Sequence, residues 1–309
     1  MTPPLITIVT PCMNRADFVR EAVESVLMQN YPNYEHIIVD GGSTDGTLDI
    51  LCSYPHLKVV SEPDQGIFDA LNKGIKMAHG EIIGWLNTDD LFTENVFQTV
   101  VEAFQNAPEA LAVAGGADKF IEENGIRRVT RTHTAFREDK DFWDRIVETP
   151  VTNAWFFRPA IFQKVGYFNI KYRLVADRDF FIRATLAGIR AVPIFKNLYH
   201  YRQHFGSATL SEDPRIPGRA VRLVDLLSEA LEMLETYLDR RDFPPGARKA
   251  ARRLHSEQAA QYALVGLYHK EFKHAWEAAL AGWRYDLIWP FYFARRTVRR
   301  TIKEIRHEV

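Results

Sequence analysis

Asp89 and Asp90 are adjacent acidic residues that directly follow a mostly apolar segment, residues 81–86. Neighbouring carboxylates repel each other unless a cation or a basic group lies between them. Carboxylate oxygens suit Mg²⁺ and Mn²⁺, which keep several waters and often bridge the phosphates of a substrate. The pair therefore predicts a metal site for a diphosphate group, although one aspartate could instead cap a helix over residues 91–107.

Three further polar clusters follow short β-branched segments, at residues 10–14, 40–43 and 62–66. In an open α/β sheet, ligands bind beyond the carboxyl ends of the strands. A carboxylate at such a strand end can accept hydrogen bonds from a base or a ribose, and the N–H groups of glycine loops suit phosphate. Asp40 and Asp45 could also merely shape turns and caps.

The elements that must position these clusters alternate between strand and helix patterns, which implies right-handed crossovers. We therefore predict the α/β class, with a mostly parallel, Rossmann-like sheet flanked by helices. Asp17 is the expected N-cap of the first helix. The predicted strands lie near residues 5–10, 36–40, 58–61 and 81–86, and the predicted helices near 17–28, 47–52 and 67–78.

The pattern changes after about residue 110 and is almost wholly helical from residue 217. We predict a hairpin around Asn124 and Gly125, a helix from 177 to 188, and C-terminal helices over 219–238 and 247–281. Prolines and a glycine at residues 213–218 mark the expected boundary. The predicted regions are a catalytic domain at residues 1–215 and a helical region at residues 216–309.

Composition excludes several classes of protein. The formal net charge of -1 argues against a duplex nucleic-acid binder, and two cysteines leave little for a disulfide framework or a zinc cluster. No stretch approaches the roughly 18 apolar residues of a spanning helix, and the N-terminus lacks a basic region typical of a signal peptide. We expect a cytoplasmic protein, soluble or peripheral at the inner face of a membrane.

Five segments, at residues 7–11, 22–31, 35–47, 62–74 and 84–90, resemble family 2 glycosyltransferases of the type found in bacterial polysaccharide biosynthesis. Five pieces in this order and spacing are highly specific. The resemblance is strong over about residues 5–95 and thinner to about 210. It implies the GT-A fold, the hexosyltransferase class, a nucleotide-diphosphate sugar donor (UDP-sugar favoured), and Mn²⁺ or Mg²⁺. It also implies inversion at the anomeric carbon and a saccharide or lipid-linked acceptor.

The same resemblance assigns residues to the nucleotide-sugar pocket. Asp40 would contact the base, and Gln65 would face the sugar. The arginine usual in this family is Leu71 here, so Lys73 is the nearest phosphate-facing cation. The set expected to line the pocket is Thr10, Pro11, Asn14, Asp40, Gln65, Asn72, Lys73, Asp89, Asp90 and Arg202.

Asp89 takes the last position of the family's metal-binding D-x-D motif, whose first aspartate is Asn87 here. Because this difference removes one negative charge, Asp90 is expected to take a larger part in the metal and diphosphate site. In the segment 200–207, which in the family often closes on the diphosphate, Arg202 could contact the phosphates and His204 could be a second metal ligand. A lone histidine is also commonly structural.

An inverting transferase needs a base that takes the proton of the acceptor hydroxyl. Residues 176–183 resemble the family's acidic motif, with Ala176 where glutamate is common. By that resemblance Asp177 is the base, whereas Asp179 supports Arg178 or Arg183. The alternative is that Asp177 only caps the helix.

The C-terminal region does not extend the family pattern. Aromatic residues at 283, 289 and 291–293 precede a cluster of arginines and a lysine. Three interpretations stay open: an anchor on an anionic membrane surface, packing on the catalytic domain, and a homodimer interface.

Two other functions compete with glycosyl transfer. A nucleotidyltransferase or a dehydrogenase should carry a glycine-rich fingerprint after the first strand, and residues 11–14 are not one. A catalytically degenerate scaffold that binds nucleotide sugars or carbohydrate fits the departures at Asn87 and Leu71. The presence of both Asp89 and Asp177 favours a catalyst.

Overall fold

The computed structural model describes residues 2–134, 143, 151–204, 219–268 and 270–294. The chain divides into two compact units, and the first contains the described residues up to 134 together with 151–204. The second contains residue 143 and the described residues from 219 onward. The predicted boundary at residues 213–218 lies outside the described residues, and the functional assignment of the two regions stays a prediction.

The first half of the sheet is parallel, in the order β3, β2, β1, β4. Parallel strands need helical crossovers, and a helix follows each of the first three strands. Their inner residues are β-branched and apolar because helices cover both faces. The elements are β1 (Ile6–Cys12), α1 (Val19–Leu27), β2 (Tyr34–Asp40), α2 (Thr47–Cys52), β3 (Leu57–Ser61), α3 (Ile67–Met77) and β4 (Ile82–Trp85).

The second half of the sheet is mixed, which refines the predicted mostly parallel sheet. β8 lies antiparallel between β4 and β6, whereas β9 runs parallel to β6. Within the described residues the sheet has nine strands, flanked by helices, and the α/β class is confirmed. The remaining elements of this unit are β5 (Leu91–Phe92), α4 (Val96–Asn106), β6 (Ala112–Glu123), β7 (Ile126–His133), β8 (Trp155–Phe157), α5 (Ala160–Val165), α6 (Ala176–Leu186) and β9 (Val192–Arg202).

Turn chemistry explains both a confirmed and a wrong prediction. The hairpin between β6 and β7 turns at Asn124 and Gly125, whose φ angles of 53° and 74° suit these two residue types. The helix predicted over residues 91–107 starts late. Residues 91–92 form β5, and Asn95, at φ 58°, separates that strand from α4. α1 is capped at Phe18 rather than at Asp17.

The second unit contains three helices among its described residues, α7 (Arg219–Leu238), α8 (Pro245–Tyr268) and α9 (Phe272–Tyr285). The single helix predicted over residues 247–281 is wrong, because Lys270 adopts a φ of 60° and ends it. Trp289 packs back onto α9, where a Cβ on Gly282 would lie 1.1 Å from its indole nitrogen. Only glycine permits that close approach.

No helix among the described residues has the length and apolar character required to cross a membrane.

Candidate active site

The loops that follow β1 and β2 form one connected platform at the carboxyl edge of the sheet. Asn14, at φ 51°, accepts a hydrogen bond from the N–H of Thr44 at 2.9 Å, and its own N–H donates to Ser43 Oγ at 2.7 Å. Asp45 accepts from the N–H of Ala16 at 3.1 Å. Exposed Asn14 thus lies at the predicted nucleotide edge and also fixes the neighbouring loop.

Asp40 is fully buried, and its carboxylate holds this platform together. It accepts hydrogen bonds from the N–H groups of Gly42 and Ser43, from the Ser43 hydroxyl, and from Ser61 Oγ at 2.7 Å. Burial alone would raise the pKa of Asp40, but these hydrogen bonds outweigh it and lower the pKa. The carboxylate therefore anchors the loop after β2, and its contact with the base stays a prediction.

Thr10 also has an internal role. Its hydroxyl lies 2.9 Å from His36 Nε2, and both side chains are buried. Burial lowers the pKa of His36 to about 3, so the imidazole is neutral. The Thr10 side chain is therefore part of the core rather than of the nucleotide pocket, while Pro11, at the next position of β1, stays a predicted pocket residue.

Asn72 and Lys73 on α3 are engaged by the protein itself. The Asn72 amide pairs with both backbone groups of Phe168, at 2.8 and 3.0 Å. Lys73 Nζ lies 2.8 Å from Glu62 and 3.6 Å from Asp69. Both side chains therefore have partners within the protein, and their contacts with the nucleotide sugar stay predictions. Asn72 attaches α3 to the segment before α6.

Asp64, in the loop between β3 and α3, lies close to the loop that follows β2. Its Oδ1 accepts from the N–H of Gly66 at 2.8 Å, and its Oδ2 would lie 2.6 Å from a Cβ built on Gly41. The carboxylate therefore fills the space above Gly41, at the ends of β2 and β3. It is half-buried, and the neighbouring Gln65 is exposed.

Asp90 is 1% exposed and belongs to the framework of the metal motif. It accepts hydrogen bonds from the Tyr199 hydroxyl at 2.7 Å, the N–H of Arg202 at 2.8 Å and the Asn87 amide at 3.3 Å. Burial and neighbouring Asp89 raise its pKa. Asp90 therefore anchors the loop after β4 to β9, with Asn87 as one of its donors, and its place in the nucleotide-sugar pocket stays a prediction.

Asp89 is the acidic residue of this pair that faces a possible ligand. Its Oδ2 lies 3.0 Å from His204 Nε2, and the two side chains are 15% and 16% exposed. The His204 ring also packs on Phe18, with ring centroids 4.4 Å apart. The structure thus brings together the two residues predicted as metal ligands.

Arg202 is 6% exposed and lies between two carboxylates. Its guanidinium is 2.7 Å from Glu21 on α1 and 2.6 Å from Glu122 on β6. Arg127 pairs with the same two glutamates. These ion pairs join three elements and position the end of β9, and the phosphate contact of Arg202 stays a prediction.

Asp177 lies in the first turn of α6, where its Oδ1 accepts from the N–H of Arg178 at 2.7 Å. Burial raises its pKa, against the opposing effects of that hydrogen bond and of the Arg178 charge. Asp179 pairs with Arg183 at 2.8 Å, as predicted for a supporting residue. A carboxylate with a raised pKa at a helix start suits proton transfer.

A buried hydrogen-bond chain connects β4, the turn before β8, and β9. Asn153 accepts from Trp85 Nε1 at 2.8 Å and donates to the Tyr199 hydroxyl at 3.0 Å. That hydroxyl donates to Asp90 and accepts from the N–H of Asn87 at 3.2 Å. The sequence did not point to Asn153 or Tyr199, because neither residue lies in a motif and their hydrogen-bond partners are distant in the chain.

Tyr199→Phe is expected to lower the free energy of unfolding by about 1–3 kcal/mol, because it leaves the buried Asp90 carboxylate without its hydroxyl donor. Urea denaturation measures this. The control is Tyr54→Phe, which removes an exposed hydroxyl bonded to Glu24 at 3.0 Å and should cost much less. Equal losses in the two variants would contradict the anchoring role of Tyr199.

Known proteins resemble this chain in sequence and in fold. The sequence profile described as "Glycosyl transferase family 2" matches residues 7–166. A "PGL/p-HBAD biosynthesis glycosyltransferase" of Mycobacterium bovis is 31% identical over 188 residues, which cover 59% of this chain and 70% of that protein.

Solved structures share the GT-A fold at low identity. A mannosyltransferase from Pyrobaculum calidifontis, in complex with GDP-Man and Mn²⁺, aligns with a TM-score of 0.57 at 19% identity, covering 98% of this chain and 82% of that one. Staphylococcus aureus TarS aligns with a TM-score of 0.56 at 15% identity, covering 83% of this chain. This chain spans only 43% of TarS. A shorter TarS structure, residues 1–349 in complex with UDP-GlcNAc, gives a TM-score of 0.50 at 16% identity and 88% coverage of each chain.

Proposed function

The chain belongs to glycosyl transferase family 2 and is a glycosyltransferase, and from that premise we propose how it transfers sugar. The donor is a nucleotide-diphosphate sugar, the acceptor is a hydroxyl of a glycan or glycolipid, and the anomeric carbon is inverted. The observation that carries this proposal is the convergence of Asp89 and His204 at 3.0 Å, beyond the carboxyl end of β4.

Asp89 and His204 fit a divalent cation. One offers a carboxylate oxygen and the other an imidazole nitrogen, a donor set that Mn²⁺ accepts. Within the described residues, no group of three or more His, Cys, Asp or Glu side chains could hold a metal ion. Diphosphate oxygens and waters would complete the coordination of a cation held by Asp89 and His204, as is usual for Mg²⁺ sites on phosphate substrates. When bound, the cation neutralises charge on the leaving diphosphate.

Asp177 acts as the base. As the acceptor oxygen bonds to the anomeric carbon, the bond from that carbon to the diphosphate oxygen breaks, and the hydroxyl proton passes to the Asp177 carboxylate. The products are the glycosylated acceptor and a nucleoside diphosphate. The raised pKa of Asp177 supports this role, because it makes the carboxylate a stronger proton acceptor than an exposed aspartate.

Asp64 takes the nucleotide end of the site in place of Asp40. Asp40 has its carboxylate surrounded by donors from its own loop, whereas half-buried Asp64 lies over Gly41 at the same edge of the sheet. A carboxylate there can accept from the N–H of a base or from a ribose hydroxyl. Exposed Asn14 and Gln65 flank it as further donor-binding residues.

A non-catalytic scaffold that binds nucleotide sugars would use the same platform. The position of Asp177 at the start of α6 favours a transferase, because donor binding alone does not require a base. Transfer and binding therefore have to be measured separately.

A donor screen tests the proposal. Thermal shift of the full chain with UDP-, GDP- and dTDP-sugars is expected to show stabilisation by one nucleotide class, larger with Mn²⁺ than with EDTA. UDP is the predicted class. Asp64→Asn should weaken binding in both conditions, whereas Asp49→Asn, on exposed α2 surface, is the control. If none of the three nucleotide classes stabilises the chain with any metal, the transferase proposal is wrong.

A further inference from the structure

Helix α9 carries two separate apolar faces. One face, formed by Ala275, Ala278 and Gly282, is buried against the rest of the helical unit. The second is a row of large apolar side chains that are about half exposed or more. Its members are Phe272, Trp276, Leu280 and Trp283, at 67%, 62%, 50% and 48% exposure.

The spacing of the second face makes it one continuous stripe. Its members lie four, four and three residues apart, which places them on one side of a helix. Three more exposed apolar side chains follow α9 in the chain, Leu287, Ile288 and Phe291, at 87%, 60% and 64% exposure. We call these seven residues the α9 stripe. Contiguous exposed apolar surface of this kind marks a site of protein or membrane contact.

The polar residues at the end of α9 are bound inside the helical unit. The Tyr285 hydroxyl donates to Asp239 at 2.7 Å, Arg284 pairs with Asp239 at 3.0 Å, and Asp286 accepts from Ser256 at 2.9 Å. These bonds fix the orientation of α9. The exposure of the stripe therefore follows from how the helix is attached.

The charge of the sequence after the stripe indicates which kind of partner the stripe binds. Residues 287–303 contain five cations and no Asp or Glu, so a strongly basic segment directly follows the stripe. The cations are Arg295, Arg296, Arg299, Arg300 and Lys303. A second copy of this chain would bring the same basic segment, whereas an anionic bilayer supplies the opposite charge.

We propose that the α9 stripe docks on an anionic membrane surface, with its aromatic rings at the headgroup level. Tryptophan and phenylalanine beside arginine and lysine are the combination that interfacial helices use. Trp289, one of the aromatics considered for membrane contact, is not part of this surface, because it is 5% exposed and stacks between Trp283 and Phe293.

Vesicle co-sedimentation of the full chain tests the proposal. We expect binding to phosphatidylcholine vesicles that contain phosphatidylglycerol and at least about tenfold weaker binding to phosphatidylcholine alone. The double variant Phe272→Ser, Trp276→Ser should bind at least about tenfold more weakly. Arg299→Gln with Arg300→Gln should cost about 30-fold, since each cation near such a surface contributes about fivefold.

Phe195→Ser is the matched control, because Phe195 on β9 is 73% exposed but lies in the other unit. It should bind vesicles as the unchanged chain does. Thermal melts of all variants show that they are folded, and transfer to a water-soluble acceptor should stay unchanged, which separates this test from that of the catalytic proposal. Equal binding to neutral and anionic vesicles overturns the proposal. The proposal is also overturned if the unchanged chain forms dimers and does not bind vesicles, and if the Phe272, Trp276 double variant no longer forms dimers. The stripe would then be an interface between two copies of this chain.

Discussion

Asp177→Asn is expected to lower the turnover number for sugar transfer by roughly 10²–10⁴-fold, the contribution typical of a general base. The amide keeps the size of the carboxylate and can still accept the 2.7 Å hydrogen bond from the N–H of Arg178. It cannot accept the proton of the acceptor hydroxyl. Donor binding should therefore be retained, and thermal shift with the nucleotide identified by the screen measures that.

Asp179→Asn is the contrasting variant on the same helix. Asp179 is buried and pairs with Arg183, so its change should lower stability rather than abolish chemistry. The two variants are distinguished by measuring both turnover and melting temperature. Undiminished transfer by Asp177→Asn would remove Asp177 as the base.

The pH dependence of transfer provides a second measure of Asp177. The base works only when deprotonated, so turnover should fall as pH drops through its pKa. Because burial raises that pKa, the fall should begin at a higher pH than for an exposed aspartate, whose pKa is about 3.9. The asparagine variant should not show this limb in its residual activity.

The same shift has a consequence for stability. A folded-state pKa above the unfolded value means that the neutral form of Asp177 stabilises the fold. That contribution is complete below the unfolded pKa and is lost as pH rises through the folded pKa. At neutral pH, Asp177→Asn should therefore be at least as stable as the unchanged chain, which thermal melts can test.

Asp89→Ala is expected to abolish the Mn²⁺-dependent part of donor binding. Losing an outer-shell partner already costs roughly 10–100-fold in metal affinity, and loss of a ligand should exceed that. His204→Ala should act in the same direction, because its Nε2 lies 3.0 Å from Asp89. Calorimetric titration of donor with Mn²⁺ and with EDTA measures the effect.

Asp90→Asn is the matched control for Asp89→Ala. Its side chain is buried and accepts hydrogen bonds from Tyr199 and Arg202, so the Mn²⁺ response of the variant should persist. If Asp90→Asn removed the Mn²⁺ response and Asp89→Ala did not, the proposed division of labour between the two aspartates would be reversed.

The sequence predicts the alternating first half of the sheet well, because hydrophobic periodicity and turn residues are local signals. It also identifies Asp89 with His204, which the fold brings together, and Asp177 at a helix start. These residues lie at element ends, where topology alone places them.

Residue type did not reveal which polar side chains are internal. Asp40, Asn72 and Arg202 are of the types that bind phosphate or nucleotide, yet each is satisfied by protein partners, which for Asn72 and Arg202 lie 80 residues or more away in sequence. Such pairings depend on the three-dimensional packing of several elements. β5 was not predicted for the same reason. It consists of only two residues, which form a strand by pairing with the distant β9.

Gly41 and Asp64 share one volume, since a side chain at residue 41 would collide with the Asp64 carboxylate. The space above Gly41 therefore has room for a single side chain, which can be attached either to the loop after β2 or to the loop after β3. Among related sequences the two positions should covary, so that glycine at 41 accompanies aspartate at 64 and a side chain at 41 accompanies a small residue at 64. A relative with the carboxylate at position 41 instead of position 64 would then keep the same acidic group in the pocket, supplied by a different loop.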